Sequence, residues 1–324
     1  MKRDLVFGDS GSEMFWRIEA ECQYSSLGVF ASQRVVDYHL EKAPQTGVAY
    51  RFKSDWESDV LIPNLKYFMN SDVAPQATGL IIGAWQGDAS DRAPDEVISV
   101  LVSNAERLPN LQALYFGDIT SEENEMSWIQ QSDLSPLLGA FPKLKLLQAR
   151  GGNDLALKVP KHAELSALIL ETGGMDKSVV HSVLEGDFPK LEYLELWLGT
   201  DEYGATVEVE DLAPLLSGEL FPKLKSLGLR NSDLVDQIAP ALVGSPLVAR
   251  LETLDLSLGT LGDVGAEALA ALSSPSLKTL DLHHHFMTEP MAQKMQTLPF
   301  SVDVSESLYN EDDGDEYRYV AIGE

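Results

Sequence analysis

Cysteine is almost absent: Cys22 stands alone among 324 residues, so neither a disulfide framework nor a cysteine metal site can be built. Basic side chains are scarce too. Lys and Arg number 24 against 51 Asp and Glu, which gives a formal charge of −27 and a pI near 4.4. Clustered Lys and Arg are what grip a phosphate backbone, and no basic patch interrupts this acidic excess, so nucleic acid and anionic membrane are excluded as partners. Long apolar runs are missing as well. The longest, such as residues 80–85, fall far short of the roughly 20 residues needed to cross a bilayer. The opening MKRDLVFGDSGSE turns polar before a secretory apolar core forms. A cytoplasmic, soluble protein is expected.

What the chain has in plenty is a recurring apolar pattern. Seven segments read L-x-x-L-x-Φ or close to it: LQALYF from Leu111, LKLLQA from Leu144, LSALIL from Leu165, LEYLEL from Leu191, LKSLGL from Leu224, LETLDL from Leu251 and LKTLDL from Leu277. An eighth, TGLIIGAW from Thr78, fits through Leu80 and Ile82. Register positions fall at 80, 114, 147, 168, 194, 227, 254 and 280, at intervals of 21 to 34. Such spacing fits leucine-rich repeats, whose period is roughly 20 to 29 with insertions on one face. Between the segments, apolar side chains at three- and four-residue spacing predict helices over 95–108, 134–140, 211–216, 236–243, 264–272 and 289–295. Alternating strands and helices of this length make right-handed β-α units. The expected fold class is therefore α/β: a leucine-rich repeat solenoid, or horseshoe, with a parallel β inner wall and a helical outer wall. An N-terminal cap is expected over 1–77, the solenoid over 78–304, and an acidic loop with a C-terminal capping strand over 305–324. Phe-Pro-Lys-Leu recurs at Phe141, Phe188 and Phe221. There Phe is expected to seal the helical layer and Pro to stop the helix.

The segment 251–266, LETLDLSLGTLGDVGA, resembles the long, helix-bearing repeats of ribonuclease inhibitor. Where that class has Asn or Cys after the strand, this chain has Ile119, Gly152, Gly173, Gly199, Ser232, Gly259 and His285. The side-chain ladder that satisfies buried loop amides is expected to be missing, leaving the task to Gly-rich turns. From about residue 48 onward the chain resembles a bacterial family of stand-alone leucine-rich repeat proteins of unassigned function. The strings that carry the resemblance are TGLIIGAW from Thr78, GDIT from Gly117, WIQQSDLSPLL from Trp128, LEYLELWLGTDEYG from Leu191 and DLHHH from Asp281. It implies a non-catalytic binding role without a cofactor. Residues 5–19, LVFGDSGSEMFWRIE, are similar to the start of a WGR domain, which implies a remnant at 1–30 reused as a cap.

Strand neighbours alternate faces, so side chains between and just after the leucines line the inner wall. They include Tyr115, Arg150, Glu171, Glu195, Trp197, Arg230, Asp255, Asp281 and His283, and the insertion 200–208 brings Tyr203 over the same wall. Aromatics mixed with arginines and carboxylates are what anchors a protein interface, here one with a basic or mixed-charge partner. Two other chemistries compete for these residues. A GDSL-type serine hydrolase is imitated by Ser10 as nucleophile, His284 as base, Asp281 as orienting acid and Asn153 as oxyanion donor. The repeat pattern opposes it, because five strand steps between Asn153 and Asp281 amount to about 20 Å or more. Metal binding would draw on His283 and His285, which share one side of an extended segment, with Asp255 or Asp281 assisting. The run EDDGDE over 311–316 lacks EF-hand ligand order and reads as a solvated loop, with 317–322 as a last short strand.

Overall fold

The L-x-L segments alternate core-facing and outward side chains, and stacking their leucines in one register removes the apolar face of every strand from water. A computed structural model describes residues 27–55, 58–85, 92–158, 160–310 and 317–323, and the backbone of two strands within the first 26 residues. The chain divides into two units, Met1–Leu165 and Ser166–Glu324.

In the first unit β1 (Arg3–Phe7) and β2 (Met14–Ile18) form an antiparallel ribbon. The rest of the WGR-like stretch and Ser10 lie outside the described residues. β3 (Val29–Phe30) returns into β4 (Gln33–Asp37) through Ala31 and Ser32, at φ 48° and 64°, as a tight two-residue hairpin loop demands. From β4 the pairing is parallel. β5 (Val48–Phe52), β6 (Gly79–Ile82), β7 (Ala113–Phe116) and β8 (Leu146–Arg150) follow in order, with Tyr50, Leu80, Leu114 and Leu147 in register. Helices α1 (Leu61–Met69), α2 (Asp95–Ser103) and α3 (Ser135–Ala140) supply the crossovers between them. Parallel pairing thus starts within residues 1–77, where β4 and β5 belong to the sheet itself. An aromatic cluster fills the core there: Tyr38 stacks on Phe52 at 4.9 Å, and Phe68 of α1 meets Tyr50 at 5.0 Å.

The second unit repeats one design. Strands β9 (Ala167–Glu171), β10 (Tyr193–Gly199), β11 (Ser226–Ser232), β12 (Thr253–Asp255), β13 (Thr279–Asp281) and β14 (Ser301–Asp303) pair in parallel, and α4 (Lys177–Leu184), α5 (Ala213–Leu216), α6 (Val235–Leu242), α7 (Asp263–Leu269) and α8 (Glu289–Met295) alternate with them. Leu168, Leu194, Leu227, Leu254, Leu280 and Val302 stand in register. The five leucines of that column are buried, each contributing about 1.5–3 kcal/mol. Phe188 and Phe221 meet at 6.1 Å and are buried, consistent with a sealing role. β14 is a strand beyond the eight expected. Residues 317–322, by contrast, form no strand. Their main-chain groups meet the corners of other repeats, not a sheet edge.

Candidate functional site

Side chains projecting between the leucines of the second unit form one connected set. Arg230 on β11 reaches back past Gly228, where a Cβ would stand 3.0 Å from the Glu195 side chain. Its Nη1 donates to Glu195 Oε1 at 3.0 Å, and its Nε lies 3.2 Å from Asp255 Oδ2 and donates to Ser257 Oγ at 3.0 Å. The guanidinium also covers the Trp197 ring, 5.0 Å from its centroid. Trp197 Nε1 donates to Glu195 at 2.6 Å, and the Tyr193 hydroxyl donates to the same carboxylate. Buried carboxylates are tolerable only when their lone pairs are used in this way.

Further along the face Asp255, Asp281 and Asp303 lie in register on neighbouring strands. Each carboxylate accepts the backbone N–H two residues on, from Ser257 at 2.9 Å, His283 at 3.1 Å and Ser305 at 2.9 Å. These are Asx turns that close the strand ends. Beyond them Asn231, Leu258, His284 and Glu306 take up left-handed φ values of 50°, 67°, 58° and 58°. Every one stands four residues after its register position. The pairing runs on through these corners, since Asn231 N–H donates to Ser257 O, Leu258 N–H to His283 O and His284 N–H to Ser305 O.

Strands in leucine register, a helical crossover per repeat and a recurrent polar corner decide the architecture. This is a leucine-rich repeat protein. A solved protein from Bacteroides fragilis is similar over 84% of this chain and 76% of its own, at 28% identity and a TM-score of 0.75. An internalin from Listeria monocytogenes matches 73% of this chain and 58% of its own at 17% identity and TM-score 0.36. The leucine-rich repeat-containing protein LegL7 from Legionella pneumophila matches 76% and 72% at 16% and 0.43. No family model matches the chain, and neither does any curated protein.

The side-chain ladder expected to be missing from these leucine-rich repeats is present in another form. His285, which takes the place of the usual Asn, accepts the Met287 N–H at Nδ1 (3.1 Å) and donates from Nε2 to Val304 O at 2.9 Å. Burial holds its pKa below the ordinary histidine value, against the opposing pull of the Val304 hydrogen bond. Ser232 likewise accepts from Leu234 N–H at 3.1 Å. With the three aspartates these side chains do the work assigned to Gly-rich turns.

The inner-wall residues are far less exposed than alternation alone implies. Glu171, Glu195, Trp197, Arg230, Asp255, Asp281 and His283 are buried in the second unit, as is Tyr115 in the first. Alternation fixes which face a side chain leaves from, not what lies over it, and for Glu195, Trp197, Arg230 and Asp255 the cover includes one another. Tyr203 and Arg150 remain partly exposed. In the first unit Arg150 lies 6.0 Å from the Tyr115 centroid and donates to Ile119 O at 3.1 Å. Arg51 spans Asp37 at 2.6 Å and Asp118 at 2.7 Å. Burial raises the Asp118 pKa, with Arg51 pulling the other way.

Both competing chemistries change on this geometry. The Asp281 carboxylate lies 2.6 Å from His283 Nδ1, while His284 Nε2 lies 3.2 Å from Tyr319 O. Asn153 donates its amide to Ser127 O at 2.8 Å. The hydrolase's acid and base are therefore engaged with other partners, as is its oxyanion donor. For a metal, His283 and His285 do not make a pair, since both His285 nitrogens are taken up by backbone. Among the described residues the one group able to converge on an ion is Asp281, His283 and Asp303, with ligand atoms within 4.8 Å of one another. Asp281 and Asp303 already spend an oxygen on Asx turns. The acidic run over 311–316 lies outside the described residues.

Sequence reasoning passed over Asp303, Arg51 and Asp118. Asp303 had a readable signal: Φ-Asp-Φ recurs at Leu254-Asp255-Leu256, Leu280-Asp281-Leu282 and Val302-Asp303-Val304.

Proposed function

We propose that this leucine-rich repeat protein is a non-catalytic, cytoplasmic scaffold that binds a protein partner with a basic or mixed-charge face on the wall made by its strands. The observation that carries the reading is the gathering of Glu171, Glu195, Asp255 and Asp281 on one strand face, where they outnumber the Arg230 guanidinium set among them, in a chain with a net charge of −27. A field of one sign attracts the complementary surface and sets the rate of encounter. The buried network shapes and charges the wall from beneath, and the partly exposed Tyr203 touches the partner. Among the described residues no helix is long and apolar enough to cross a membrane.

A pull-down from the native host tests this. A specific protein should be retained, its retention falling roughly tenfold as salt shortens the Debye length from about 10 Å to 3 Å. Tyr203→Ala should weaken it further. Retention indifferent to both salt and the Tyr203 substitution refutes the reading.

A further inference from the structure

We propose that the corners of the second unit form a groove for an extended peptide of the pattern Arg-x-Φ-x-Φ-Gly, which residues 317–323 fill in cis. The proposal stands apart from the strand-face reading, because it concerns the strand ends. Along this segment exposure alternates. Tyr317 and Tyr319 are 71% and 58% exposed, whereas Val320 and Ile322 are each 7% exposed and Arg318 is turned in. A period of two means an extended chain with every second side chain in a pocket.

The main chain is held at four points. Ala321 N–H donates to Leu258 O at 2.9 Å, and His284 Nε2 lies 3.2 Å from Tyr319 O. The Asn231 side chain grips Ile322 on both sides, accepting its N–H at 3.0 Å and donating to its carbonyl at 2.6 Å. Asn231, Leu258 and His284 are three of the four left-handed corner residues, and all three are turned to the same segment. A left-handed conformation is unfavourable for a non-glycine residue and needs contacts to hold it. Backbone contacts of this kind hold any extended peptide; side-chain pockets choose which one.

The pockets are specific. Arg318 Nη1 donates to Asp236 Oδ2 at 2.7 Å and Thr260 O at 3.2 Å. Its guanidinium sits where a Cβ on Gly262 would be, 2.2 Å away, so that glycine makes the room. The other Asp236 oxygen accepts the N–H groups of Gly262 and Gly265 at 2.9 and 3.2 Å, which fixes the carboxylate in place. The Tyr319 ring lies edge-on to Phe286 at 5.4 Å. At the far end a Cβ on Gly323 would meet the Tyr203 ring at 2.5 Å, which selects glycine there. Arginine and two aliphatic side chains at alternate positions, with glycine directly after the last, are what this groove reads.

The test uses the full chain with its own segment weakened by Arg318→Ala and Ile322→Ser. Hydrogen exchange at the amides of residues 321 and 322 should rise at least tenfold. A labelled synthetic peptide, Tyr-Arg-Tyr-Val-Ala-Ile-Gly-Glu, should then bind the variant one to one. The unaltered chain should bind it much more weakly, because a tethered segment competes at an effective concentration of order millimolar. Alanine for the peptide's arginine, or Asn231→Ala in the protein, should cost at least tenfold in affinity. If the double variant does not fold, Arg318→Lys alone releases the segment more gently and is read the same way. Amides that stay protected, a released groove that ignores the peptide, or equal binding of a scrambled peptide would each overturn the proposal.

Discussion

The two units finish their strands by different chemistry. In the first, Gly117 and Gly151 take φ values of 103° and 113°, and the Gln131 side chain reaches across to donate to Arg150 O at 2.7 Å. In the second, Asp255, Asp281 and Asp303 each close their own strand, and the corner that follows is left-handed at Asn231, Leu258, His284 and Glu306. One unit relies on backbone that only glycine adopts easily and on a side chain borrowed from a loop. The other still ends β10 on Gly199 but from β12 onward relies on polar side chains repeated in register. The first solution is sensitive to volume; the second is sensitive to charge.

Substitutions can break that contrast at its strongest point first. Arg230→Ala leaves Glu195 and Asp255 buried without their cation and should lower the stability of the second unit by about 3–5 kcal/mol. Urea-dependent hydrogen exchange across β10 and β11 measures it, and a loss below about 1 kcal/mol would show that the network contributes little. Gly117→Ala puts a Cβ 2.5 Å from Arg150 O at a φ that L-residues rarely adopt. It should cost the first unit about 1–3 kcal/mol, seen as faster hydrogen exchange across β7 and β8 with the second unit unchanged.

The smallest effect is the most diagnostic. His285 is held below its ordinary pKa by burial, so protonation is harder in the folded chain than in the unfolded one. Stability should be full above about pH 6.5 and fall as the pH drops toward the depressed value. His285→Asn keeps an acceptor and a donor but cannot titrate. It should unfold within about 1 kcal/mol of the parent at pH 7.5 and lose less stability than the parent by pH 5. Parallel curves for the two proteins would remove His285 from the acid response.

Much of the fold was legible because leucine packing imposes a period. β6 to β13 fall on the repeated segments, and α8 begins and ends where three- and four-residue spacing put it. β5 escaped a search for leucine because Tyr50 and Phe52 fill the leucine places with rings. The site was legible only as a face. Alternation put Glu195, Arg230 and Asp255 on the same side, yet their burial depends on contacts between residues 35 positions apart, and no local pattern encodes those. The polar ladder was sought where Asn usually stands, and most of it had moved four residues earlier, into Φ-Asp-Φ.

Each of the three aspartates binds an amide of its own repeat. A repeat of this kind can be gained or lost in evolution without leaving its neighbours' Asx turns open. Gln131, whose partner lies 19 residues away, gives the first unit no such freedom. The number of repeats should therefore vary among related chains on the Asp-closed side and stay constant on the glycine-closed side.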